Sequence, residues 1–135
     1  MSDLDHARLM LNMAETDLKA LQNMLDMNAF ANEIFGFHTQ QAVEKALKAW
    51  LSLVDVDYPR TRDLEALLAL LGSSGDTVPE QFYALIDLTD FAVQLRYASF
   101  EDVDNQLDRA EIIRQVTELV GHVEKQFAKV DEETQ

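Results

Sequence analysis

No cysteine occurs anywhere in the 135-residue chain. That absence removes disulfides, thiolate metal centres and cysteine nucleophiles together, and it fits a reducing cytoplasm. Only 2 prolines and 4 glycines interrupt the sequence, too few for a turn-rich β architecture. No apolar run approaches the about 20 residues that a membrane span needs. The start, MSDLDHARLM, opens with acids rather than the basic-then-apolar order of a signal peptide. The expectation is a cytoplasmic protein without a membrane segment. Positive charge is scarce too: 11 bases face 25 acids, for a net charge of −14. Such a surface repels a phosphate backbone on average, so any contact with nucleic acid or nucleotide must be local.

What the chain does hold is apolar periodicity. Hydrophobic residues make up 47%, enough for one domain over 1–135 with a short acidic tail at about 131–135, and a domain near this size buries roughly 70% of its unfolded surface. Most apolar positions recur at three- and four-residue steps, which predicts an all-α protein. The expected architecture is an antiparallel up-and-down bundle of four long helices plus one short helix. Neither an internal repeat nor a linker divides it.

Ser2 can cap a first helix running to about Asp26, with Leu4, Ala7, Leu11, Ala14, Leu18, Leu21 and Leu25 on one face. A second helix spans about Asn28 to Val54. Pro59 breaks the pattern in DVDYPRTRDL, and Thr61 is placed to cap a short helix through Leu71. GSSGDT forms a loop. Thr77 and Glu80 have capping-box spacing around Pro79, predicting a fourth helix to about Tyr97. After ASFEDVD, Asp102 or Asp104 can start a last helix to near Val130. Its stripe is Leu107, Ala110, Ile113, Val116, Val120, Val123 and Phe127.

The second helix, which carries FHTQQAVEKALKAWL, puts Phe35, Ala42, Ala46, Ala49 and Leu53 on one face, where three alanines admit a close neighbour. Gln41, Lys45, Lys48 and Ser52 then form a polar strip, with Glu44 four residues before Lys48. One reading is a solvated face, its Glu–Lys pair worth a few tenths of a kcal/mol. The other is a local site, because Lys45, Lys48, Arg60 and Arg62 fall within 18 residues of an otherwise acidic chain.

FHTQQAVEKALKAWL, followed by YPRTRDLEALLALL and later by LRYAS, resembles the HEPN family, the small helical domains of higher eukaryotes and prokaryotes. The resemblance implies nucleotide or RNA binding, a homodimer, and work with a partner such as a minimal nucleotidyltransferase, often as toxin and antitoxin. By position it singles out Gln41, Glu44, Lys45 and Lys48, then Arg60, Arg62 and Asp63, then Arg96 and Tyr97. Two positions depart from the pattern: Arg62 stands where the family turn has histidine, and Ala98 where Arg-Tyr is followed by proline. No cofactor is implied.

RNA-cleaving members of the family carry an arginine followed after four to six residues by histidine, which suits metal-independent cleavage through proton transfer and phosphate stabilisation. After Arg96 the corresponding positions hold Glu101, Asp102 and Val103, so the motif is absent. Arg114 and His122 lie just outside that spacing and read as incidental. His6, His38 and His122 form no Glu-x-x-His pair of the kind that bundle metal sites use. Glu118 and His122, four apart, read as a solvated ion pair, and His38 as a hydrogen-bonded helix histidine. GSSGD lacks the Walker lysine. Arg60 and Arg62 bracket Thr61 at a helix start, where guanidinium groups and backbone amides can hold a phosphate; the rival is an Arg62–Asp63 ion pair.

Three functions remain in view. The leading one is a noncatalytic nucleotide- or RNA-binding module that gathers Lys45, Lys48, Arg60, Arg62 and Arg96 around one anionic ligand. The others are a ribonuclease toxin with an altered site, and a helical dimerisation protein without ligand.

Overall fold

Ala7, Leu11, Ala14, Leu18 and Leu21 step by four and three residues, and all five are buried in the first helix, as an apolar stripe facing a core requires. The computed structural model describes residues 3–26, 28–94 and 107–133. Within them lie five helices and no strand: α1 (Asp3–Gln22), α2 (Asn32–Leu53), α3 (Leu64–Ser73), α4 (Gln81–Gln94) and α5 (Arg109–Glu133). No helix among the described residues is long and apolar enough to cross a membrane. Ser2, the expected first cap, and Asp102 and Asp104, the expected starts of the last helix, lie outside the described residues.

Several boundaries differ from the sequence reading, each for a local reason. α1 stops at Gln22 rather than Asp26 because Leu25 is exposed and off the stripe. The chain turns at once, with the Asp26 carboxylate accepting from the Asn28 amide at 2.9 Å. α2 therefore begins at Asn32. In α3 the cap is Asp63, whose Oδ1 accepts from the Ala66 amide at 3.2 Å, while Thr61 Oγ1 accepts from the Asp63 amide one step earlier. α4 starts at Gln81, past the expected Thr77–Glu80 box. There the amides of Phe82 and Tyr83 bond to the carbonyls of Pro79 and Glu80. α5 is capped by Asp108, which accepts from the Glu111 amide at 3.0 Å. It runs to Glu133, so part of the acidic tail is helical. Its buried stripe is Ile112, Val116, Leu119, Val120, Val123 and Phe127, with Ala110 exposed.

α2 is the element around which the others assemble. Ala42, Ala46 and Ala49 are fully buried, with Phe35, Leu47 and Trp50 beside them. Cross-contacts fix the pairings. His38 near the start of α2 meets Asp17 near the end of α1, while His6 near the start of α1 meets Tyr58 just beyond α2. Gly36 abuts Ala92 late in α4, and Trp50 meets Phe82 early in α4. Arg8 and Asp131 tie α1 to the end of α5 at 2.5 Å.

The α1–α5 seam also contains a pair of carboxyl groups. Glu15 shares a hydrogen bond with Glu124, and that bond, followed by burial and the neighbouring charge, pushes its pKa up to about 7 from an ordinary 4.5. The folded state therefore holds a proton that the unfolded chain releases near pH 4.5. The sign follows from linkage: the contribution is complete below 4.5, declines as pH rises toward 7, and is gone above it. After allowance for solvent screening we expect about 1 kcal/mol of stability to be lost across that window. Chemical denaturation of wild type and Glu15→Gln at pH 4.5 and 7.5 checks this. The variant should lose less stability on going to the higher pH.

Candidate functional site

α2 ends in a way that determines what meets its polar strip. Asp55 has a φ of 60°, the left-handed region where Asp is among the better tolerated side chains. Its amide bonds to the Ser52 carbonyl and the Val56 amide to the Leu51 carbonyl, the double closure of a Schellman turn. The chain thereby reverses and brings Tyr58 and Arg60 back beside Lys48.

The strip itself is not a solvated face. Glu44 is 3% exposed and Ser52 8%, and the Lys48 side chain is only 12% exposed. Lys48 Nζ donates to Glu44 Oε2 at 3.0 Å, and Lys45 Nζ stands 3.8 Å from the same oxygen. Glu44 Oε1 is buried without a hydrogen-bond partner among the described residues. Removing such a carboxylate from water costs several kcal/mol, and the two lysines offset that cost. The lysine pair therefore stands in a low-dielectric setting where its charge is less screened than on an open helix.

Lys48 Nζ also lies 5.6 Å from the centre of the Tyr58 ring, within range of a cation–π contact. Tyr58 Oη is 2.7 Å from His6 Nε2, with the rings stacked at 6.2 Å. Burial, helped by the Glu44 charge and opposed by a Ser52 hydrogen bond, raises the Tyr58 pKa. The phenol thus keeps its proton at neutral pH and stands as a neutral group beside Lys48.

These groups line a cleft of about 570 Å³: Lys48, Arg60, His6, Tyr58 and Ser52, together with Asp55 and Asp57. A volume in this range suits a small ligand. Two cations and a set of neutral donors can take an anionic group, and the two aspartates can accept from hydroxyl or amino groups on the same molecule.

Of the residues singled out in the sequence, Lys48 and Arg60 line this cleft, with Glu44 held against Lys48 and Lys45 beside Glu44 but outside the lining. Gln41 lies on α2, partly buried, and does not line the cleft. Arg62 does not join either. It lines a separate cleft of about 240 Å³ with Glu33, Phe37 and Gln40, and its carbonyl accepts from Gln40 Nε2 at 2.9 Å. In an unbent extended segment residues two apart would face the same side, but the chain bends at Arg60 before α3 and sends the two arginines into different clefts. Asp63 forms no ion pair with Arg62 and serves as a helix cap. Arg96 and Tyr97 lie outside the described residues.

The other readings resolve individually. His38, within α2, is hydrogen-bonded across to Asp17 of α1 at 3.3 Å. Glu118 pairs with Arg114, which also holds Glu111. His122 instead packs 4.7 Å from Trp50 and 5.3 Å from Phe82, and burial lowers its pKa. The expected Glu118–His122 pair is therefore replaced by an aromatic cluster. No group of three potential ligands among the described residues could hold a metal ion.

His6, Ser52, Tyr58 and the two aspartates were not singled out from sequence as ligand groups. His6 and Tyr58 are 52 residues apart, and only the alignment of α1 along α2 could have paired them. The Tyr-Pro step did carry a weak signal, since a residue before proline is held extended.

An all-helical domain with a mixed-charge cleft at one end of its central helix is the class of protein these observations define. The HEPN domain model matches residues 7–126, most of the chain. The protein belongs to the HEPN domain family. No curated protein and no solved structure gives a significant match.

Proposed function

We propose that this protein is a noncatalytic nucleotide- or RNA-binding module whose ligand site is the Lys48–Arg60 cleft. Membership of the HEPN family points toward nucleotide- or RNA-related function. The observation that carries the assignment to this cleft is the convergence of Lys48 and Arg60 with His6, Tyr58 and Ser52 in a chain of net charge −14. The phosphate lies against the two cations, and ribose or base groups meet Asp55 and Asp57. Lys45 and Glu44 stand behind Lys48 and set its position.

The module acts in the cytoplasm as a homodimer with a partner such as a minimal nucleotidyltransferase, in a toxin–antitoxin pair. The helix pairings support an antiparallel arrangement of four longer helices plus the short α3. A noncatalytic role is supported by the missing histidine after Arg96.

Calorimetric titration with ATP, GTP and short RNA tests the site. The double variant Lys48→Ala with Arg60→Ala should weaken binding by about tenfold or more, and added salt should narrow the difference. Arg62→Ala, in the other cleft, should leave affinity within about twofold of wild type, a change of less than 0.5 kcal/mol. Equal affinity of wild type and the double variant would reject the assignment.

A further inference from the structure

A second concave surface lies between α3 and α4. Leu68 and Ala69 of α3 and Ile86 of α4 form its floor, Tyr83 is one wall, and Glu65 and Asp87 stand at the rim, enclosing about 300 Å³. Leu68 and Ile86 are each 2% exposed and belong to the core, so the floor is rigid. The Tyr83 side of the groove is open: the residue is 49% exposed although its hydroxyl reaches toward Gly72 at the far end of α3. A large ring left in water beside an apolar floor is a surface that gains by being covered.

Charge states what covers it. No lysine, arginine or histidine lines the groove. Glu65, Asp87 and the neighbouring Asp90 have no ion-pair partner among the described residues, whereas Glu44, Glu111 and Glu118 each have one. Asp90 titrates above its ordinary value through burial and then through the charges of Asp87 and Asp63, so Asp87 stands among further acids. A negatively charged rim around an apolar floor rejects an anionic ligand and complements a cationic one.

We infer that the α3–α4 groove is the docking site for a basic amphipathic helix of a partner protein, one that inserts a large apolar side chain between Tyr83 and Leu68 and sets lysine or arginine against Glu65 and Asp87. The two helices present rim and floor at three- and four-residue steps, the register in which a docked helix offers its own side chains. The groove is separate from the Lys48–Arg60 cleft and shares no residue with it, so the inference stands apart from the ligand reading above.

The probe is a synthetic amphipathic helical peptide with leucines on one face flanked by lysines, titrated into the isotope-labelled full chain and followed by amide NMR shifts. The expected result is a saturable set of shifts centred on Glu65, Leu68, Ala69, Tyr83, Ile86 and Asp87. Asp87→Lys should weaken binding by about tenfold or more, and Tyr83→Ala by several-fold. Glu124→Lys, which changes net charge equally on the α1–α5 side, should leave it unchanged. A peptide with glutamates in place of lysines should not bind. Four results would each overturn the inference: no saturable shifts, shifts centred on the Lys48 cleft, equal weakening by Glu124→Lys, or equal binding of the glutamate peptide.

Discussion

Arg109→Ala should lower stability by about 3 to 5 kcal/mol, the range for removing one partner of a buried, charge-assisted network. Arg109 is only 4% exposed. Its guanidinium donates to the carbonyls of Met24 at 2.6 Å and Phe30 at 2.7 Å and to Asn32 Oδ1 at 2.8 Å. It also lies 4.9 Å over the Phe35 ring. The first residue of α5 therefore binds Met24, Phe30 and Asn32, on both sides of the turn between α1 and α2. Burial lowers its pKa, opposed in part by the charge of Asp26, and among the described residues no carboxylate forms an ion pair with it. Two backbone carbonyls and the Asn32 side chain replace the water its terminal nitrogens have lost, while Nε is buried without a partner among the described residues.

Truncation would leave these oxygens buried and unpaired and open a void beside Phe35. Lysine keeps the charge but lacks the planar fork that reaches several acceptors at once, so Arg109→Lys should fall between alanine and wild type. Thermal melting and urea unfolding measure the effect, and amide exchange at residues 23–31 should accelerate in both variants. An alanine variant that melts within about 2 °C of wild type, well under 1 kcal/mol for a domain of this size, would mean that the network contributes nothing.

Gly36→Ala should cost about 2 kcal/mol even though the same change usually favours a helix. A Cβ at Gly36 would stand 2.7 Å from the Ala92 carbonyl oxygen and 3.2 Å from its carbon. Both are backbone atoms of α4, so no rotamer relieves the clash and the helices must separate. The overpacking cost exceeds the propensity gain of about 1 kcal/mol. Gly121 supplies the opposite sign. It lies within α5 with nothing within 4 Å of an added Cβ, so Gly121→Ala should stabilise by about 0.5 to 1 kcal/mol. Melting of the two variants side by side checks both signs. Stabilisation of both would falsify the close contact of α2 with α4.

The helical class and the apolar stripe of α1 were legible because they depend on spacing along a single helix. So was the alanine face of α2: small residues at Ala42, Ala46 and Ala49 announce a close neighbour whichever helix supplies it. The family was legible as well, since its motifs are contiguous runs.

Helix ends were less so. Asp63 and Asp108 act as caps where Thr61, Asp102 and Asp104 were equally eligible by residue type. The choice depends on where the incoming chain points. Arg109 could not be told from any other helix-start arginine, because its acceptors lie 77 to 85 residues away.

The candidate site divides along the same line. By itself the sequence determined that Glu44, Lys45 and Lys48 share a helix surface and that Arg60 and Arg62 follow a proline turn. Only the tertiary structure decided that Lys48 and Arg60 face one cleft while Arg62 faces another, that the Glu44–Lys48 pair is buried, and that His6 and Tyr58 complete the lining. Periodicity sets direction about a single helix axis. Convergence between segments depends on the left-handed turn at Asp55 and on which α1 residues lie against the end of α2, quantities that no local spacing contains.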